Sequence, residues 1–298
     1  MYSLFVPLRD EWHGCECYAG TIKSNRRRKP TPTRRTVTAC MFDHFAPQIL
    51  LAMLGAFLIG VSKTGVAGIG ILSVVIFAIA FPAKGSVGIV LPILLCADLV
   101  AVTSYRRHAV WSHLWRLLPW AGIGIIIGYL AMGKIDDVSV ARLIGGLAIG
   151  LSCMQVWRRN LVAKYPEKAD AVPHQLWFAA TMGILGGFTT MVANAAGPIM
   201  VLYLLAASLP KMEFMGTSAW FFFIVNSVKV PLLMNLGLIN LQSLPVDLIL
   251  APFAVLGAFT GRPILKRIKQ SAFENLALIL TVIAGLKLAL TGILPAVK

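Results

Sequence analysis

Beyond residue 45 the chain alternates long apolar stretches with short loops that carry charged residues, proline or glycine. Most of the stretches are about as long as the roughly 20 residues that an α-helix needs to cross the hydrocarbon core of a bilayer. The pattern therefore predicts an all-α, polytopic membrane protein. The stretches lie near 46–81, 87–105, 116–133, 140–157, 175–209, 212–235, 245–262 and 272–294.

Two of these stretches, 46–81 and 175–209, are about 35 residues long, and small and polar residues interrupt each of them midway. The first interruption reads SKTGVAGIG at 62–70, and the second reads TTMVANAAGP at 189–198. Backbone inside a membrane can leave the helix only where protein or a water-filled cavity covers it. We therefore expect each stretch to form two half-helices joined by an unwound turn. The alternative is a glycine-rich face on which continuous helices pack closely.

A shift of 128 residues aligns the two halves of the chain without a gap, over some 80 residues. Internal symmetry of this kind is typical of secondary transporters. We expect one membrane repeat at 46–157, a cytoplasmic linker at 158–174 and a second membrane repeat at 175–294. The aligned pairs include Gly55 with Gly183, Ala67 with Ala195, Pro82 with Pro210, Gly88 with Gly216, and Asp98 with Asn226.

The basic residues of the loops test the topology. If each interrupted stretch enters and leaves on one side, each repeat adds three full transmembrane helices, and this odd number makes the two repeats inverted. Twelve loop Lys and Arg residues then lie on one side and four on the other, as expected when cytoplasmic loops carry the positive charge. If each interrupted stretch crosses once, the basic loop at 262–269 falls outside, which violates this rule.

Composition supports the membrane assignment and changes the meaning of the net charge. The chain has 298 residues, of which 58% are hydrophobic and 13% charged, and its mean hydropathy is +0.79. A formal net charge of +15 could suggest a nucleic-acid partner. Residues 1–40 contribute +5 of it, and most of the remaining basic residues lie in loops on one side of the membrane. We therefore expect no nucleic-acid partner.

Residues 1–45 form a basic segment without apolar periodicity, and we expect it to be disordered because it cannot bury enough surface to offset the entropy of ordering. Two interpretations stay open: a translated tail, or a chain whose true start is Met41. The segment contains three of the five cysteines, and the other two stand alone in apolar stretches. Their spacing suggests neither a disulfide framework nor a metal site, so we expect no metal and no cofactor.

Few polar side chains lie at membrane depth, and each is a functional candidate because its burial is costly. Half-helix N-termini present unpaired N–H groups and the positive end of a dipole, which favour anions. We expect these N-termini and Lys63 to form an anion site. The candidate substrate-binding residues are Lys63, Thr64, Gly65, Gly68, Gly70, Thr189, Thr190, Asn194, Gly197 and Asn226, and the candidate proton carrier is Asp98.

Plainer alternatives exist for the same residues. Lys63 and Asp98 could pair only to neutralise two buried charges, and such a pair would look identical in sequence to a proton-coupling site. Asn226 could simply hydrogen-bond across helices. Lys229, one turn beyond it, could extend its ammonium group to the membrane interface.

Three segments resemble the sulfite exporter TauE/SafE family: GVSKTGVAGIG at 60–70, GGFTTMVANAAGPIMVLY at 186–203 and LPKMEFMGTSAWFFFIVNSVKVP at 209–231. The resemblance covers nearly the whole chain after Met41. It implies a multi-pass transporter of the inner membrane, built of two repeats, that handles sulfite, sulfonates or related small organic anions. Many members carry three consecutive glycines at each interruption, and this chain departs from that pattern at both.

We therefore expect a secondary transporter, with a small anion as substrate, the lipid bilayer as its surroundings and a proton as candidate coupling ion. The alternatives are an anion-selective channel and a membrane scaffold that transports nothing. The apolar stretches offer no paired acids and no nucleophile with a base, so we expect no enzymatic activity. The sequence leaves the direction of transport and the oligomeric state open.

Overall fold

The computed structural model describes residues 34–65, 69–164, 176–207, 209–240, 243–267 and 270–290, and over these residues it is helical without strands. The N-terminal segment up to residue 33, Gly68 and the linker residues 165–175 lie outside the described residues. The helices are α1 (Arg34–Thr64), α2 (Gly70–Ala80), α3 (Ala83–Tyr105), α4 (Trp111–Lys134), α5 (Asp137–Lys164), α6 (Leu176–Ala193), α7 (Gly197–Ala206), α8 (Lys211–Asn235), α9 (Leu244–Arg267) and α10 (Gln270–Ala289).

The chain divides at Pro47 into two units. The described part of the first unit, residues 34–47, is the N-terminal part of α1, so this helix begins inside the segment expected to be a tail. All contacts reported below belong to the second unit, residues 48–298.

Six helices within the described residues are long and apolar enough to cross a bilayer, and they come from α3, α4, α5, α6, α8 and α9. Large apolar side chains such as Trp115, Leu248 and Phe259 are exposed on the outer faces, at 65–71% of their surface. Contact of such side chains with lipid tails costs no free energy, whereas contact with water does. The all-helical, multi-pass membrane fold predicted from the apolar pattern is confirmed.

Each long apolar stretch contains a helix boundary at the polar interruption. In the first, α1 ends at Thr64 and α2 begins at Gly70; in the second, α6 ends at Ala193 and α7 begins at Gly197. The short helices α2 and α7 have 11 and 10 residues. At about 1.5 Å per residue they are too short to cross a core of about 30 Å.

The end of α6 has a local cause in Asn194, whose φ of 52° places it in the left-handed region. Its backbone N–H donates to the Thr190 carbonyl at 3.0 Å, which is the bond that closes a helix with a left-handed residue after its last turn. Asparagine tolerates this conformation better than most residues. Pro198 then stands in the first turn of α7, where its missing N–H has no helical partner to lose.

Glycines allow two pairs of helices to pack with their backbones in contact. A Cβ atom on Gly187 of α6 would overlap the Ala121 carbonyl of α4. Likewise, a Cβ atom on Gly257 of α9 would overlap the Phe57 carbonyl of α1. Small residues at such positions are the usual basis of close helix packing in membranes. These two pairs hold α1 and α6 in place, and each of these helices leads into one interruption.

Candidate functional site

A cavity lies between the two interruptions, with α3 and α8 beside it. The centre of a water-sized molecule can move through about 60 Å³ of it, which is room for several waters or one small anion. Its polar lining consists of Ser62, Lys63, Thr190, Asn194, Ser218 and Asn226, and its apolar walls include Ile59, Ile71, Leu94, Val201, Phe214 and Phe222.

Lys63 places a positive charge in this cavity. Its Nζ atom lies 2.8 Å from Asp98 Oδ1, and the two side chains are 10% and 0% exposed. The same Nζ atom lies 3.8 Å from the centre of the Phe222 ring, a distance at which a cation is attracted to the aromatic face. The pairing that the sequence left as an alternative is therefore present, on a lysine that also lines the cavity.

Asn226 connects Asp98 to the second half of the chain. Its Nδ2 atom donates to Asp98 Oδ2 at 2.6 Å, and both residues are buried. Asn226 thus makes the cross-helix hydrogen bond considered as its plainer role, and it also lines the cavity. With Lys63 at one carboxylate oxygen and Asn226 at the other, Asp98 has a partner on each side.

Lys229 is the functional candidate that sequence reasoning left out of the site. Its side chain is fully buried, so it does not extend to the membrane interface. Its Nζ atom lies 2.5 Å from Asn194 Oδ1, 3.2 Å from Thr190 Oγ1 and 3.4 Å from Asn226 Oδ1. The signal that could have found it is its spacing of three from Asn226, because residues three apart share one face of a helix.

Asn194 joins the second interruption to α8 and to α3. Its Oδ1 atom accepts from Lys229, and its Nδ2 atom donates to the Val87 carbonyl of α3 at 3.1 Å. The left-handed turn and these two bonds hold its amide in one orientation.

Several predicted site residues have other partners. The Thr64 hydroxyl donates to the Ala258 carbonyl of α9 at 2.8 Å. The Thr189 hydroxyl donates to the Leu185 carbonyl within α6, also at 2.8 Å. Gly65 occupies the turn after α1. These three residues do not line the cavity.

Gly70 and Gly197 line the cavity at the first residues of α2 and α7. A Cβ atom on Gly70 would meet only the Ser62 side chain, at 3.2 Å from its Oγ atom, and one on Gly197 would meet nothing within 4 Å. Neither glycine therefore serves close backbone packing, which was the alternative explanation for them. Instead, the N-terminal ends of two short helices border the cavity, where their dipoles favour negative charge.

The electrostatics of the site favour an anion. Lys229, which is buried, and Lys63, which is 10% exposed, stand against the buried Asp98, so their formal charges sum to a single positive charge. Among the described residues no group of three His, Cys, Asp or Glu side chains could hold a metal ion. The arrangement can bind an anion through an ammonium group, a hydroxyl and amide N–H groups.

Residues 52–288 match the family model of the sulfite exporter TauE/SafE proteins, which covers most of the chain. No curated protein and no solved structure matches the chain at a significant level.

Proposed function

The chain belongs to the sulfite exporter TauE/SafE family, and we propose that it is a secondary transporter that moves a small anion across the inner membrane. Sulfite, a sulfonate or another small organic anion is the proposed substrate. The family itself suggests a membrane transporter for sulfite or related anions. The substrate site that we propose is the cavity between the two interruptions.

The observation that carries the proposal is Lys63 in that cavity. A charge taken out of water is costly unless a counter-charge compensates it. Asp98 compensates only one of the two positive charges of Lys63 and Lys229. An entering anion would compensate the positive charge that remains. The starts of α2 and α7 add backbone N–H groups and the positive ends of two dipoles to the same place.

We further propose that the two halves form inverted repeats that move against each other around this site, as in other secondary transporters. Contacts at matching places support this arrangement. A Cβ atom on Gly88 of α3 would overlap the Leu238 carbonyl, just after α8. Its equivalent in α8, Gly216, would meet the backbone of His108, just after α3, at 2.7 Å.

Asp98 is the proposed proton carrier of a coupled cycle. Its carboxylate holds Lys63 in an ion pair at 2.8 Å. Protonation would remove the negative charge from that pair, and the Lys63 ammonium would then be available to an anion. A proton and an anion would therefore favour the same state of the site.

Uptake into vesicles reconstituted with the purified protein tests the proposal. Labelled sulfite and methanesulfonate are offered with and without an imposed proton gradient. We expect saturable uptake that the gradient enhances, and that Lys63→Met abolishes. Lys134→Met, which changes an exposed lysine at the end of α4, is the matched control and should leave uptake unchanged.

Two results would count against this function. Uptake that Lys63→Met leaves intact, with unchanged affinity, would remove Lys63 from the site. Flux that neither saturates nor responds to the gradient would instead indicate an anion-selective channel.

A further inference from the structure

We infer that Lys229 sets the anion specificity of the cavity by orienting the side chains that line it. This inference rests on the proposed function, because it concerns the same site. Lys229 does not itself line the cavity; it is buried behind Thr190, Asn194 and Asn226 and contacts an oxygen atom of each. It is therefore a positioning residue, which acts on a substrate through these three side chains.

The chemistry of the ammonium group decides which way each partner points. A protonated lysine has three hydrogen-bond donors and no acceptor. The Oδ1 atoms of Asn194 and Asn226 and the hydroxyl oxygen of Thr190 must consequently accept its hydrogen bonds. Both amides are thereby turned with their NH₂ groups away from Lys229.

The partners at the opposite ends of the two amides are compatible with this orientation and add to it. The Nδ2 atom of Asn194 faces the Val87 carbonyl at 3.1 Å, and that of Asn226 faces the Asp98 carboxylate at 2.6 Å. A backbone carbonyl and an ionised carboxylate can only accept. Each amide is therefore fixed from both sides, with its oxygen toward Lys229 and its NH₂ group toward an acceptor.

In this orientation the polar side chains of the lining offer hydrogen-bond donors. Each NH₂ group has a second hydrogen, and the Thr190 hydroxyl hydrogen is not used in its contact with Lys229. Together with the Lys63 ammonium, the side chains that Lys229 holds present donors to the cavity. Donors bind a negatively charged oxygen more strongly than a neutral one, so this lining favours the anion over a neutral molecule of the same shape.

Lys229 also supplies the unpaired charge of the site. Lys63 and Asp98 form an ion pair, and the contacts of Lys229 given above are to neutral oxygens. Its positive charge, screened little in a buried setting, therefore favours a ligand group with one negative charge.

The test compares anions with neutral molecules of almost the same shape. Binding of methanesulfonate and dimethyl sulfone, and of acetate and acetamide, is measured by calorimetry on the purified, detergent-solubilised protein. For each pair the ratio of the two affinities is the readout. A residue that only stabilises the fold would lower both affinities of a pair and leave their ratio unchanged.

We expect the wild-type protein to prefer the anion of each pair and Lys229→Gln to lower that preference by about tenfold or more, since each oriented donor that is lost removes a hydrogen bond to the charged ligand. Glutamine has both a donor and an acceptor, so it no longer dictates the orientation of the two amides. Lys229→Arg keeps a positive, donor-only group and should retain most of the preference. Lys134→Gln is the matched control.

A folded Lys229→Gln variant with an unchanged affinity ratio would overturn the inference while leaving the proposed function intact. If Lys229→Gln does not fold, Asn194→Gly provides the same readout, because it removes one oriented amide from a backbone conformation that glycine adopts freely. An unchanged ratio in that variant would also overturn the inference. A wild-type protein that binds and transports none of the anions would instead overturn the proposed function itself.

Discussion

Asn226 donates a hydrogen bond of 2.6 Å to Asp98, and the two residues are 128 positions apart, the same shift that aligns the two halves of the chain. In a structure with twofold pseudosymmetry, equivalent residues meet only near the axis that relates the halves. A contact between Asp98 and its own equivalent therefore supports an axis that passes beside the cavity. The groups proposed to bind a substrate then lie at the junction of the two halves that we propose to move against each other.

Removing one charge or both charges of the Lys63–Asp98 pair should affect stability and transport differently. Lys63→Met alone leaves Asp98 as a buried carboxylate without its charged partner, and we expect a loss of stability of roughly 3–5 kcal/mol. The double variant Lys63→Met with Asp98→Leu removes both charges and should regain most of that loss, yet transport should stay absent. Thermal unfolding and vesicle uptake are measured on the same preparations. A double variant that transports would show that the pair is only structural.

Asp98→Asn tests proton coupling. The asparagine keeps the shape of the side chain, so the Asn226 contact can be retained, but it cannot exchange a proton. We expect exchange of anion across the vesicle membrane to persist while accumulation driven by a proton gradient disappears. Asp136→Asn, an exposed acid between α4 and α5, is the control. Gradient-driven accumulation by Asp98→Asn would exclude Asp98 as the proton carrier.

Asn194 combines a backbone role and a side-chain role that two substitutions separate. Asn194→Gly keeps the left-handed turn and removes the amide, so we expect lower anion affinity and a loss of stability from the two hydrogen bonds that the amide makes. Asn194→Ala also removes the amide but strains the turn, which should lower the free energy of unfolding by about a further 1–2 kcal/mol. Equal stabilities for the two variants would contradict the argument from the φ angle.

Two threonines near the interruptions should respond differently to replacement by valine. Thr64 donates to the Ala258 carbonyl of α9, so Thr64→Val should lower stability by about 1 kcal/mol and leave anion affinity unchanged. Thr190 lines the cavity and accepts from Lys229, so Thr190→Val should lower anion affinity. Calorimetric binding and thermal unfolding of both variants check the contrast. The opposite pattern would assign Thr64, and not Thr190, to the site.

Two glycines of α4 provide a packing test on one helix. A Cβ atom on Gly124 would overlap the Ile184 carbonyl of α6, whereas one on Gly122 would meet nothing within 4 Å. Gly124→Ala should therefore lower stability by roughly 1–3 kcal/mol. Gly122→Ala should be neutral, or should stabilise by up to about 1 kcal/mol through helix propensity. Similar unfolding temperatures for the two variants would mean that α4 and α6 are not in backbone contact.

The positions of the helix boundaries could be predicted because their causes are local. Glycine occurs at both interruptions, together with Lys63 in the first and Pro198 in the second, and a continuous membrane helix has no use for such combinations. The structure accordingly ends α1 at Thr64 and begins α7 at Gly197.

The orientation of single polar side chains could not be predicted in the same way. Lys229 is buried because Thr190 and Asn194, which lie 39 and 35 residues earlier, surround its ammonium group. Thr64 turns away from the cavity because the Ala258 carbonyl, 194 residues later, accepts its hydrogen bond. Such choices depend on which helices become neighbours, and hydropathy along the chain carries little information about that.

Counterflow in reconstituted vesicles tests the central claim most directly. Vesicles are loaded with unlabelled sulfite or methanesulfonate, and the labelled anion is supplied outside at low concentration. The account predicts that the wild-type protein accumulates label transiently and saturably, because one site faces the two sides in turn, and that Lys63→Met does not. Label that only equilibrates without transient accumulation, or equal counterflow in Lys63→Met, would contradict it.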